Sequence, residues 1–235
     1  MIAILLKPCY QRLRALFGVC PEIGNDMLIP MEAMLTFFMA SVVLALAPGP
    51  DNIFVLTQAA MHGKASGLLV TLGLCTGLIV HTTAVALGVA VIFQTSVVAF
   101  SVLKMAGACY LLYLAWQAFR TSATTISTGQ AHGLGFGRLY RRGIIMNVTN
   151  PKVSIFFLAF LPQFADPVRG SLTSQIILLG VIFIVATVLI FGGIALLAGA
   201  LGEWLNRSHR AQMVLHKVAG MVFVALALKL VTTRQ

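Results

Sequence analysis

Apolar residues in this chain come in long unbroken runs rather than in alternation. Six runs stand out: Met34–Thr57, Ala65–Phe93, Val97–Phe119, Gly143–Phe164, Leu172–Leu201 and Gln212–Val231. Each is near or above the roughly 20 residues an α-helix needs to cross a bilayer. A transmembrane barrel would instead show a period of two. The pattern therefore predicts an all-α integral membrane protein with six transmembrane helices.

Two of these runs are interrupted. Ala47-Pro48-Gly49-Pro50-Asp51-Asn52 falls in the middle of the first. Proline leaves a helical carbonyl without its donor, and hydrocarbon offers no water to replace it. A carboxylate near mid-membrane is costly and faces a protein cavity rather than lipid. The fourth run is polar at first, with Asn147, Thr149 and Asn150, and strongly apolar from Ile155 to Leu161; between them stands Asn150-Pro151-Lys152. Glycine and asparagine suit an N-cap, and proline suits the first helical position. Gly49-Pro50 and Asn150-Pro151 thus predict restarts of half-helices within the membrane. Such a start exposes unpaired N–H groups and partial positive charge, which attract anions.

The two breaks also echo each other. Gly49-Pro50-Asp51-Asn52-Ile53-Phe54-Val55-Leu56 and Asn150-Pro151-Lys152-Val153-Ser154-Ile155-Phe156-Phe157-Leu158 each give a cap residue, a proline, a charge and an apolar run. Residues 34–119 and 143–231 then read as two copies of a three-span unit, joined by a linker over 120–142. Units with three spans insert in opposite senses, so the plan is a 3+3 inverted repeat with helices one and four broken.

Composition sharpens the class. Hydrophobic residues make up 59% of the chain and charged residues 9%, against about 25% charged in soluble domains. The net charge of +10 does not point to nucleic acid, since no basic face with interleaved aromatics occurs. The basic residues lie between the apolar runs. Lys64, then Arg120, Arg138, Arg141 and Arg142, and Arg207 with Arg210 fall on alternate connections; the other side carries Arg169, with Lys229 and Arg234 near the tail. The positive-inside rule puts the 120–142 connection in the cytoplasm and both ends outside. Lys7, Arg12 and Arg14 argue the other way. Residues 1–30 fit no span or signal peptide; they read as an upstream extension, with Met31 or Met27 as the functional start, or as a basic interfacial helix around Tyr10–Val19.

The candidate chemistry sits at the breaks. Asp51 and Lys152 occupy matching places after the two prolines. Facing each other across a cavity they would suit a zwitterion: ammonium on Asp51, carboxylate on Lys152 and the half-helix start. Asp51, Asn52, Asn147, Asn150 and Lys152 are the candidate substrate residues; Pro48, Gly49, Pro50 and Pro151 shape the breaks. Asp51 and His81, the latter mid-way along the second run, are candidates for proton coupling. The competing reading makes Asp51 a cap, Lys152 a snorkelling side chain and His81 a packing residue. Lys104 either snorkels or lines the cavity. Gln163 and Phe164 are an ordinary terminus or a gate. Gly73 with Gly77, and Gly192, Gly193 and Gly199, read as helix-packing positions; Tyr110, Tyr113 and Trp116 read as an interfacial belt.

Cys9, Cys20, Cys75 and Cys109 form no C-x-x-C pair, which disfavours a metal site or a thiol-redox carrier. No nucleophile elbow or phosphate loop is present, so neither an enzyme nor an ATP-driven pump is indicated. No cofactor is implied. A gradient-driven transporter is the favoured class, with a non-transporting scaffold or a thiol or metal-ion carrier of related helix plan as alternatives.

Four motifs in order resemble the LysE/RhtB family of amino-acid exporters. These are Ala47-Pro48-Gly49-Pro50-Asp51; Lys104-x-x-Gly107-Ala108-x-Tyr110-Leu111; Asn147-x-x-Asn150-Pro151-Lys152 followed by Phe156-Phe157; and Leu161-Pro162-Gln163-Phe164. The match covers about Met34 to Val231. The resemblance implies a multi-pass protein of the bacterial inner membrane. It would expel amino acids or close derivatives by proton antiport, and would do so as a homodimer. Family substrates include lysine, arginine, homoserine, threonine, homoserine lactone and leucine, and this chain resembles the homoserine/threonine/leucine side.

Overall fold

The computed structural model describes residues 28–95, 97–120, 135–198, 200 and 209–232. Most of the expected extension, and residues 121–134 of the expected linker, lie outside these residues, as does Gly199.

Proline, glycine and hydroxyl residues set the helix ends. Helix α1 (Met31–Leu46) follows Pro30 and carries Glu32 in its first turn, where the helix dipole favours an acid. Helix α2 (Pro50–His62) starts on Pro50 and ends at Gly63, whose φ of 85° suits glycine. Helix α3 (Lys64–Thr95) and helix α4 (Val97–Arg120) follow. Helix α5 (Phe136–Val148) precedes the second break. The short α6 (Pro151–Ile155) widens into a π-type turn over Phe156–Phe160 and then tightens into a 3₁₀ turn over Leu161–Phe164, where Pro162 sits. Helix α7 (Leu172–Leu196) is capped by the Ser171 side chain, and α8 (His209–Thr232) closes the described chain.

Both expected breaks are present. The axis turns by 64° between α1 and α2, and by 49° between α5 and the segment from Pro151 to Phe164. By length and composition α3, α7 and α8 can each cross a membrane, and each bent pair can supply one further span, giving three to five. The start of the fourth span differs from expectation. The helix begins at Phe136, not Gly143, so Arg138, Arg141 and Arg142 lie on α5 rather than in a loop. Polar residues hid this start from an apolar count. The helix is amphipathic: it buries Leu139, Gly143 and Asn147 while its arginines stay outside.

Packing pairs the elements across the chain. Helix α3 lies against α5 and α7, α4 against α8, and α1 against α7. The α3–α5 crossing is close because Gly73 and Gly143 face each other: a Cβ on Gly73 would meet the Tyr140 carbonyl and Gly143 itself. Gly77 gives room to the Asn147 side chain, whereas a Cβ on Gly192 or Gly193 would meet nothing within 4 Å, so of these four described glycines the packing expectation holds for the first pair.

Two apolar clusters result. One gathers Phe37, Phe156, Phe157, Phe160, Phe164 and Phe183; the other gathers Val55, Leu56, Val70, Leu74, Leu139 and Phe191. Leu72, Ile79 and Leu87 on α3, and Val181, Val185 and Leu189 on α7, are exposed. Outward apolar stripes of this extent fit a surface that meets lipid.

Candidate functional site

The site begins with the carbonyls that the prolines strand. In an unbroken helix the Leu44 carbonyl would accept from the nitrogen of residue 48, but Pro48 has no N–H. The Lys152 ammonium supplies the missing donor, reaching Leu44 O at 3.1 Å and Ala47 O at 3.0 Å. Asn52 Nδ2 donates to Ala45 O at 2.7 Å. At the second break Pro151 deprives the Asn147 carbonyl in the same way. That oxygen accepts from the Asn150 N–H at 3.1 Å and lies 3.2 Å from His81 Nε2 on α3. Each break is thus satisfied partly by a side chain from the opposite half of the sequence.

Asn150 ties the breaks together. Its Oδ1 accepts from the Lys152 N–H at 3.0 Å, capping α6, while its Nδ2 donates to Asp51 Oδ2 at 2.7 Å. Asp51 is thereby fixed from the second half, and Lys152 is fixed on the first. Gly49 allows the crossing. Its backbone is extended, with φ −166°, so no conformational demand selects glycine. A Cβ there would stand 3.3 Å from Lys152 Nζ, tighter than ordinary contact.

A cavity of about 20 Å³ lies beside this junction, between the two apolar clusters. Leu44, Leu74, Phe183 and Phe191 supply its apolar walls; Asp51, Asn147, Lys152 and Thr187 supply its polar ones. It has room for a group the size of a water molecule. Asp51 Oδ1, Asn147 Oδ1 and Thr187 Oγ1 are buried and lack hydrogen-bond partners.

The structure therefore brings together Asp51, Asn147 and Lys152 at one cavity, with Asn150 behind them. Asn52 and His81 serve the freed carbonyls and are not among the cavity's lining residues; neither is Lys104. The His81 ring also packs near Phe157, with centroids 5.6 Å apart. Thr187 was missed by sequence reasoning. Its signal was present in the spacing Phe183, Thr187, Phe191, one face of α7 at intervals of four.

A second hollow of about 450 Å³ opens at the end of the bundle where α1 begins. Glu32, Gln163, Phe164, Asp166 and Arg169 line part of it. Phenylalanines fill the space between the two hollows. Phe183, on the inner cavity, lies 5.4 Å from Phe156; Phe156 lies 4.8 Å from Phe160; and Phe160, on the outer hollow, lies 5.1 Å from Phe164.

A family model described as LysE type translocator matches residues 42–234, taking in both breaks and every residue of the cavity. The chain belongs to the LysE type translocator family. A homoserine/homoserine lactone efflux protein of Salmonella typhi is 33% identical over 203 residues, covering 86% of this chain and 98% of its own. A membrane protein of Vibrio cholerae is 30% identical over 204 residues, covering 87% and 98%. A leucine efflux protein of Salmonella choleraesuis is 26% identical over 200 residues, covering 84% and 93%. No solved structure matches the chain. This LysE-type translocator is a bacterial multi-pass membrane protein of the efflux class.

Proposed function

We propose that this translocator exports amino acids or close derivatives across the inner membrane, with neutral ones of the homoserine, threonine and leucine kind favoured. The observation that carries the reading is the junction itself: two broken helices meet at a cavity that holds a carboxylate, an ammonium and unpartnered polar atoms. A scaffold would have no use for such groups within hydrocarbon. The efflux names of the relatives supply the direction.

Six spans in a 3+3 inverted repeat fit the packing. Helix α4 has 24 residues and so extends about 36 Å, which would add a sixth span. The second elements of the two halves, α3 and α7, pack on each other, as do the third elements, α4 and α8. The first half-helix of each unit packs on the second element of the other, α1 on α7 and α5 on α3. A pseudo-twofold relation requires the last two pairings to occur together and permits the first two.

Proton antiport follows from the chemistry of Asp51. A single carboxylate oxygen holds either a proton or a substrate ammonium, so loading one releases the other. We assign the coupling to Asp51 rather than to His81, whose ring faces the Asn147 carbonyl. A homodimer remains part of this reading through the family alone.

Cells overexpressing the protein and preloaded with dipeptides give the test, read by amino-acid analysis of the medium. Homoserine, threonine or leucine should appear several times faster than in cells with empty vector, and Asp51→Asn should remove both the excess and its dependence on the proton gradient. A medium unchanged across all amino acids would sink the export reading; full gradient-dependent efflux by the Asp51→Asn variant would sink the coupling role.

A further inference from the structure

Three buried polar oxygens on residues of the inner cavity have unused hydrogen-bonding capacity. Asp51 Oδ1 and Asn147 Oδ1 are acceptors, and Thr187 Oγ1 accepts as readily as it donates. All three residues line the same small space and all are buried, at 3%, 3% and 2% exposure. None of the three atoms has a partner, although buried polar atoms are nearly always satisfied. The three residues come from three elements, α2, α5 and α7, so no local turn explains their meeting at one cavity; Asn147 Oδ1 also rests against Gly77 of α3. The cation beside them is already engaged: Lys152 Nζ donates to Leu44 O and Ala47 O.

We infer that Asp51, Asn147 and Thr187 form a subsite for a primary ammonium group, and that Thr187 is a substrate-binding residue. A primary ammonium brings three N–H donors and a positive charge to three acceptors, one of them anionic. The volume of about 20 Å³ suits that head group and nothing larger. The remainder of the substrate must lie where the apolar walls part. Lys152 Nζ spends two of its three N–H donors on the backbone of the first break, so this cation is tied to the wall while the three oxygens stand open to an ammonium. The site therefore reads the amine. Amino acids whose carboxyl is masked as an amide or ester are accepted, and those whose amine is acylated are refused. This inference rests on the cavity being the substrate site of the exporter proposed above.

The test uses the purified full chain in nanodiscs and follows thermal unfolding with added probes. Propylammonium chloride should raise the midpoint over an equal concentration of sodium chloride. Tetramethylammonium, which has no N–H, and propionate, which is an anion, should not. Leucinamide should stabilise and N-acetyl-leucine should not. Thr187→Val removes one acceptor at nearly constant volume and should raise the half-saturating propylammonium concentration about tenfold, the value of one charge-assisted hydrogen bond. Thr187→Ser should stay within about twofold of the parent. Stabilisation by tetramethylammonium equal to that by propylammonium, a response to N-acetyl-leucine matching that to leucinamide, no response to any amine, or an unaltered Thr187→Val titration would each overturn the subsite. Failure of the export reading looks different: the amine response persists while the efflux assay shows nothing.

Discussion

Lys152 sits where an ammonium would ordinarily be expelled, at a helix break among apolar side chains, and the carbonyls of Leu44 and Ala47 are what hold it. Replacing it with methionine keeps the length and removes the donors. Two carbonyls then lose this partner, and Asp51 loses the cation that shares its cavity. Lys152→Met should cost about 3 kcal/mol of stability, seen as a lower unfolding temperature in detergent, with export abolished. An unchanged unfolding temperature with export lost would move Lys152 from the backbone to the substrate. Gly49 and Asn150 belong to the same junction. The first leaves space for the ammonium, and the second gives one amide to two tasks, a cap for α6 and a donor for Asp51.

Among the elements, the phenylalanine-rich segment after the second break has the least regular backbone. Its π-type turn at Phe156–Phe160 passes directly into a 3₁₀ turn at Leu161–Phe164. Deviations of this kind are frequent at functional sites. Phe183 of α7 completes the stack that separates the two hollows. Phe183→Ala should open a path between them. In a cysteine-free background carrying Thr187→Cys, a membrane-impermeant thiol reagent added on the outer-hollow side should react at least tenfold faster when Phe183 is alanine; equal rates would place the barrier elsewhere.

Much of this architecture could be read from the chain. Four of the six expected spans correspond to helices within a few residues, because long apolar runs leave little alternative in a bilayer. Pro48, Pro50 and Pro151 gave away both breaks, since a missing N–H is a local property. The partner of each stranded carbonyl was not legible. That Lys152 serves Leu44, or His81 serves Asn147, depends on how α3, α5 and α6 pack, and so does the inclusion of Thr187 in the cavity. The start of α5 at Phe136 was missed because its first turns are basic. An apolar count cannot see an amphipathic helix that enters the membrane only at its far end.

For the molecule as a whole, charge and hollows give a consistent direction. The basic residues Arg138, Arg141 and Arg142 belong to the end of the bundle near Phe54, over which Arg142 stacks at 4.7 Å. The larger hollow, with Glu32 and Asp166, belongs to the opposite end. The positive-inside rule then predicts a cytoplasmic arginine end, and under the export proposal the hollow would be on the exit side. A fluorescent-protein fusion between residues 120 and 135 should fluoresce, whereas an alkaline-phosphatase fusion after the last residue should be active. The reverse pattern would invert the topology and make the hollow an entrance.

The Lys152 clasp has a consequence for descent. An ordinary residue in place of Pro48 would let the helix run on through Ala47 and supply its own donor to Leu44 O, and the lysine would then lose half of its seat. A chain without the lysine would leave that oxygen stranded in hydrocarbon. Neither position can drift freely while the other stays. Across the lineage the imino acid and the amine are expected to be kept or abandoned as a pair.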